Sequence, residues 1–271
     1  MATDAATVRE YGFAKTGRRD AWWVGPLVTF LVLSSFVIYT TFRIFQNAHY
    51  QFGHGVEGTL DPEHSYMLSP MYSPLLALPD WMPAWISPAM FILWMPGGFR
   101  LTCYYYRKAY YRAFMLDPPG CAVGEPRNEY AGETRLLLFQ NIHRYFLYIA
   151  LVFIVILGYD ALHTFIWPTA GGGSTFGISI GSIVLTTGAV LLALYTISCH
   201  SLRHLVGGNV DCFSCVRGGQ TRYKLWKGIT VLNMNHMFWA WTSLFGVTLA
   251  DLYVWMVASG RIRDLQLFVL R

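Results

Sequence analysis

Residues 178–197 contain no charged side chain. At 1.5 Å per residue, about 20 apolar residues cross the ~30 Å hydrocarbon core of a bilayer. Four further apolar stretches approach or exceed that length, so the chain reads as an all-α integral membrane protein, a bundle of five transmembrane helices. The expected spans are about 21–45, 84–112, 136–167, 176–204 and 228–258. They form one transmembrane domain, 21–258, between a polar N-terminal arm (1–20) and a short tail (259–271). Only 13% of the residues are charged, against about 25% in soluble domains. No internal repeat or low-complexity segment divides the chain.

The basic residues give the orientation. Sixteen of the twenty lysines and arginines fall in the arm, in 100–144 or in 203–227, which lie on one side of such a bundle. The connections 48–85 and 168–175 hold none. The positive-inside rule then puts the N-terminus in the cytoplasm and the C-terminus outside, in a multi-pass protein of the cytoplasmic (inner) membrane. The net charge of +5 is membrane topology, and nucleic acid is excluded as a partner. The arm has no apolar core of the kind a signal peptide needs.

Polar groups inside a membrane are functional candidates by default. His200 and His204 stand at i and i+4 at the end of the fourth span, and Cys212 and Cys215 follow at C-x-x-C spacing. Alone, the histidines read as interfacial side chains at a helix C-terminus. With the cysteines they read as a metal set, suited equally to tetrahedral zinc and to a Rieske-type [2Fe–2S] cluster. Bis-histidine haem b is a third reading. His143 is expected about two turns into the third span and His236 about two turns into the fifth. They are candidates for quinone contact or metal ligation, with Arg144 and Trp241 beside them, or else for hydrogen bonding within the bundle. Asp160 and His163, at i and i+3, are candidates for a proton path, against a simple ion pair. Arg43 is expected to snorkel to the interface. No protein nucleophile is needed.

The stretches Phe139-Gln140-Asn141-Ile142-His143-Arg144-Tyr145 and Ser198-Cys199-His200-Ser201-Leu202-Arg203-His204, with Tyr11-Gly12-Phe13 and Trp22-Trp23, carry a resemblance. Over about 20–258 the chain resembles the single-chain membrane anchor of succinate dehydrogenases and fumarate reductases, most of all the actinobacterial type. The resemblance implies a flavoprotein subunit and an iron–sulfur subunit docked on the basic cytoplasmic face, and a membrane quinone, menaquinone or ubiquinone, as electron acceptor. Such anchors often hold haem b between histidines of paired helices. Here the first two spans carry no histidine, so the expected one-electron centre is a Rieske-type cluster on His200, His204, Cys212 and Cys215. A di-iron lipid desaturase, suggested by His200-x-x-x-His204, ranks below, as does a structural anchor or transporter with a zinc-clipped loop.

Overall fold

A computed structural model describes residues 12–53, 65–126, 142–168 and 173–270. Residues 139–141 of the resembling stretch, the start of the expected third span, Tyr11, His54 and His64 lie outside the described residues. Contacts divide the chain into two compact units, residues 1–42 with 97–143, and residues 43–96 with 144–271.

Among the described residues, four helices are long and apolar enough to cross a membrane: α1 (Val24–Gln46), α5 (His143–His163), α6 (Ile180–Ile197) and α9 (His236–Ala258). Their outward side chains are apolar, with Ile38 69% and Val155 71% exposed. Such surface is costly in water and ordinary against lipid, where each helix satisfies its own backbone.

The segment expected as one continuous second span is instead broken. It forms α2 (Pro88–Ile92), α3 (Trp94–Thr102), α4 (Tyr104–Tyr110) and a π-helical turn, Tyr111–Met115. Ser87 caps α2 by accepting from the Ala89 amide, with Pro88 at the first helical position, where its missing N–H costs nothing. At Cys103 the backbone is extended (φ −63°, ψ 131°), which ends one helix and starts the next.

The expected fifth span is likewise two pieces, α8 (Gly219–Met234) and α9, broken at Asn235. His236 therefore begins a helix rather than lying two turns inside one, while His143 is the first residue of α5 and the expected start of its span lies outside the described residues. Between α6 and α8 the chain makes α7 (His200–Arg203), a π-helical turn over His204–Gly208 and a 3₁₀ turn over Phe213–Cys215. Cys199, before α7, repeats the extended geometry of Cys103 (φ −61°, ψ 135°).

In the second unit α6 and α9 form the best-packed helix pair. A Cβ on Gly188 would lie 3.3 Å from the Gly246 carbonyl and 3.4 Å from the Ala250 Cβ, so small residues set the approach. The opposite ends of these helices meet three antiparallel strands. β3 (Ile166–Pro168) pairs with β4 (Ser174–Ser179), and β4 with β5 (Gln266–Val269) in the tail. A two-stranded ribbon, β1 (Gln51–Gly53) and β2 (Ser65–Leu68), lies in the loop after α1. Met67, Trp167, Leu185, Val254 and Val257 form the core there.

Candidate functional site

The histidines settle into local cages built at the helix breaks. In the second unit the Ser198 hydroxyl and His236 Nδ1 are 2.7 Å apart. The His236 ring stacks on Tyr195 at 5.1 Å, and Asn233 donates to the Ser198 carbonyl at 2.7 Å. The end of α6 thus fixes both the ring plane and the Nδ1 of a histidine at the start of α9. Nearby, Arg203 donates to the Thr230 hydroxyl at 2.9 Å and lies 4.7 Å over the Trp226 ring. Arg144 reaches His204 Nδ1 at 2.7 Å. Gly207 leaves room for Trp226, since a Cβ there would sit 2.8 Å from it.

In the first unit the same arrangement recurs. His143 is buried, with Nδ1 2.8 Å from the Thr102 hydroxyl and its ring stacked on Phe99 at 4.7 Å. Thr102 also bonds back to the Gly98 carbonyl at 2.7 Å. In each unit, then, a hydroxyl residue holds a histidine through Nδ1, and a buried cysteine follows that residue at a helix start: Thr102-Cys103 and Ser198-Cys199. Spacing did not bring these two cysteines together with the histidines, because the backbone break that places them is tertiary in origin.

The set read from spacing is not assembled. Cys212 and Cys215 are joined in a disulfide, and His204 is taken up by Arg144. Among the described residues no three His, Cys, Asp or Glu side chains gather into a metal site. As arranged, His200, His204, Cys212 and Cys215 fit neither a [2Fe–2S] cluster nor zinc, both of which need open thiolates. Trp241 packs against Phe245 at 6.5 Å, one turn along its own helix.

Toward the other end of α9, Arg43 does not snorkel. It is wholly buried and paired with Asp251, Nε to Oδ2 2.8 Å. Ser69 donates to the same carboxylate, and Arg43 also donates to Gln46 and to the Ala48 carbonyl. Tyr72 donates to the Arg43 carbonyl at 2.7 Å, and burial pushes its phenol up, keeping it a donor. Asp160 accepts from Ser73 and opens on an apolar crevice between α5, α6 and α9, lined by Leu157, Leu185, Leu192 and Val247. His163 lies one turn beyond, near Tyr159.

Apolar helices of spanning length, with histidines caged against aromatic rings at their breaks, define a helical membrane protein. The sequence matches the family described as actinobacterial succinate dehydrogenase subunit SdhC over residues 24–260. It therefore belongs to that family, as a membrane-anchor subunit of succinate dehydrogenase, an oxidoreductase, and its partners are other subunits of that complex. A chain of the Mycobacterium smegmatis Sdh1 complex in the apo form is similar in structure, at 42% identity and TM-score 0.78, covering 93% of this chain and 94% of that one. No curated protein matches.

Proposed function

We propose that this chain binds membrane quinone and carries electrons to it from a docked iron–sulfur subunit, itself fed by a flavoprotein that oxidises succinate, with the N-terminus and the histidine end of α9 on the cytoplasmic side. The observation that supports this most is the Ser198–His236–Tyr195 cage. Reducing a quinone takes two electrons and two protons. The site must offer an apolar wall for the ring, a hydrogen bond to a carbonyl oxygen and a proton source. A histidine held by a hydroxyl at Nδ1 and stacked on an aromatic ring supplies the last two at a fixed position, and Arg144, Arg203 and His204 add positive charge for a reduced, anionic oxygen. Asp160 and Ser73, in the other half of the bundle, suit proton exchange with the far side.

A one-electron centre remains part of this reading, with its donors moved. Cys103 and His143 are both buried, and His143 Nδ1 is already held by the Thr102 hydroxyl. This is the outer-shell hydrogen bonding that commonly fixes a ligating imidazole. Cys103 and His143, rather than the disulfide pair, would supply ligands to a Rieske-type [2Fe–2S] cluster, which would supply single-electron transfer.

The test is low-temperature EPR and optical spectroscopy of the purified complex with its partner subunits, oxidised and dithionite-reduced. A low-average-g signal lost in Cys103→Ser but kept in Cys212→Ser supports the assignment. Loss in Cys212→Ser returns the cluster to the loop pair. A b-type haem band, or zinc without iron beyond that of the partners, overturns it.

A further inference from the structure

We propose that the Cys212–Cys215 disulfide is a thiol–disulfide exchange site, opened by a dithiol reductant, and that its state sets how segment 208–218 sits on α8. Cys215 is exposed and Cys212 half-buried, so access selects the Cys215 sulfur for attack. The Ser214 hydroxyl lies 3.2 Å from Cys212 Sγ. A disulfide sulfur carries no hydrogen, so the hydroxyl is the donor, and it stabilises the thiolate that leaves from Cys212.

The exchange balances. A thiolate of the dithiol bonds to Cys215 Sγ, the Cys212–Cys215 bond breaks, and Cys212 departs as a thiolate that takes up a proton. The second thiol of the reductant then displaces Cys215, which is protonated in turn. Two electrons and two protons pass to the protein, and the reductant becomes a cyclic disulfide.

The first of the two residues between the cysteines makes the bond matter. Phe213 packs against Tyr223 at 5.3 Å and Trp226 at 6.2 Å. Its carbonyl lies where a Cβ on Gly219 would stand, 1.6 Å away, so the chain is pressed onto the start of α8. Trp226 in turn carries Arg203. In the orientation proposed above the loop faces the cytoplasm, where disulfides are transient or redox-sensing rather than structural.

The experiment is graded reduction of the purified complex, with dithiothreitol and with thioredoxin, its reductase and NADPH. Iodoacetamide trapping and peptide mass spectrometry read the thiols, and amide hydrogen exchange reads 208–222. The expected result is a pair resistant to alkylation at first, opened without denaturation, with faster exchange in that segment, and the same faster exchange in C212S/C215S without reductant. Ser214→Ala slows opening by up to about tenfold. Alkylation before any reductant, or a bond that opens only after denaturation, overturns the exchange site. Opening with no change in hydrogen exchange overturns the coupling to α8.

Discussion

Arg43 and Asp251, 208 residues apart in the chain, form a fully buried ion pair with Arg43 Nε 2.8 Å from Asp251 Oδ2. Tyr72 and Trp255 flank the guanidinium, with ring centroids 6.0 and 5.9 Å away. The end of α1, the loop after β2 and the last turns of α9 are thereby tied at one point. Each charge is tolerable there only because the other is present.

Removing one partner strands the other. Arg43→Ala and Asp251→Ala should each destabilise by about 3–5 kcal/mol, read as a lower thermal midpoint in detergent. A double change to well-packed apolar residues should cost clearly less than either single change. Equal or larger loss in the double variant would show that the pair stabilises beyond charge compensation.

Ser198 and His236 separate positioning from contact. His236→Ala should abolish most quinone reduction while succinate oxidation with a soluble dye stays normal. Ser198→Ala should give a milder fall, roughly tenfold, consistent with one lost hydrogen bond to a group that gains charge. Unchanged quinone turnover in both variants would remove His236 from the quinone site.

Gly207 gives a steric test of the same region. Gly207→Ala places a methyl group 2.8 Å from Trp226, an overpacking expected to cost about 1–3 kcal/mol. Because Trp226 supports Arg203, quinone affinity should weaken along with stability. Stability loss with normal affinity would uncouple the Trp226–Arg203 contact from the site.

The N-terminal arm has a pH-dependent tie. The Arg18 guanidinium hydrogen-bonds Asp20 and holds its carboxyl below the usual carboxylate range. Arg18 also donates to the Cys121 carbonyl at 2.9 Å, and the Ala14 amide to the Gly124 carbonyl at 3.0 Å. A depressed folded-state pKa contributes stability above the unfolded value, near 3.8, and loses it as pH falls through the folded one. Proteolysis of the arm should therefore quicken only below about pH 4, and Asp20→Asn should remove that dependence.

Hydropathy was enough to identify a helical membrane protein, and α1, α5, α6 and α9 fall within or almost within the spans read from sequence. The Asn141-Ile142-His143-Arg144 and Ser198-to-His204 stretches led to the family, because local sequence carries such likeness without any three-dimensional knowledge. The candidate site was half legible. His143, His236 and Arg144 were singled out by the cost of polar groups in lipid, and His204 by its i, i+4 spacing from His200.

What depends on long-range contact was not legible. Cys212 and Cys215 were paired with the histidines by spacing, yet spacing cannot say whether two thiols meet a metal or each other. The partners of His143 and His236 are hydroxyls 41 and 38 residues away, and the partner of Arg43 is 208 away. Apolar runs of spanning length likewise suggested continuous spans across Cys103 and Asn235, whereas the folded chain breaks at both. The sequence by itself determined that the chain belongs in lipid, because transfer free energy adds residue by residue. Only the tertiary structure decided which buried polar groups face each other, because pairing depends on where packed helices stop and turn.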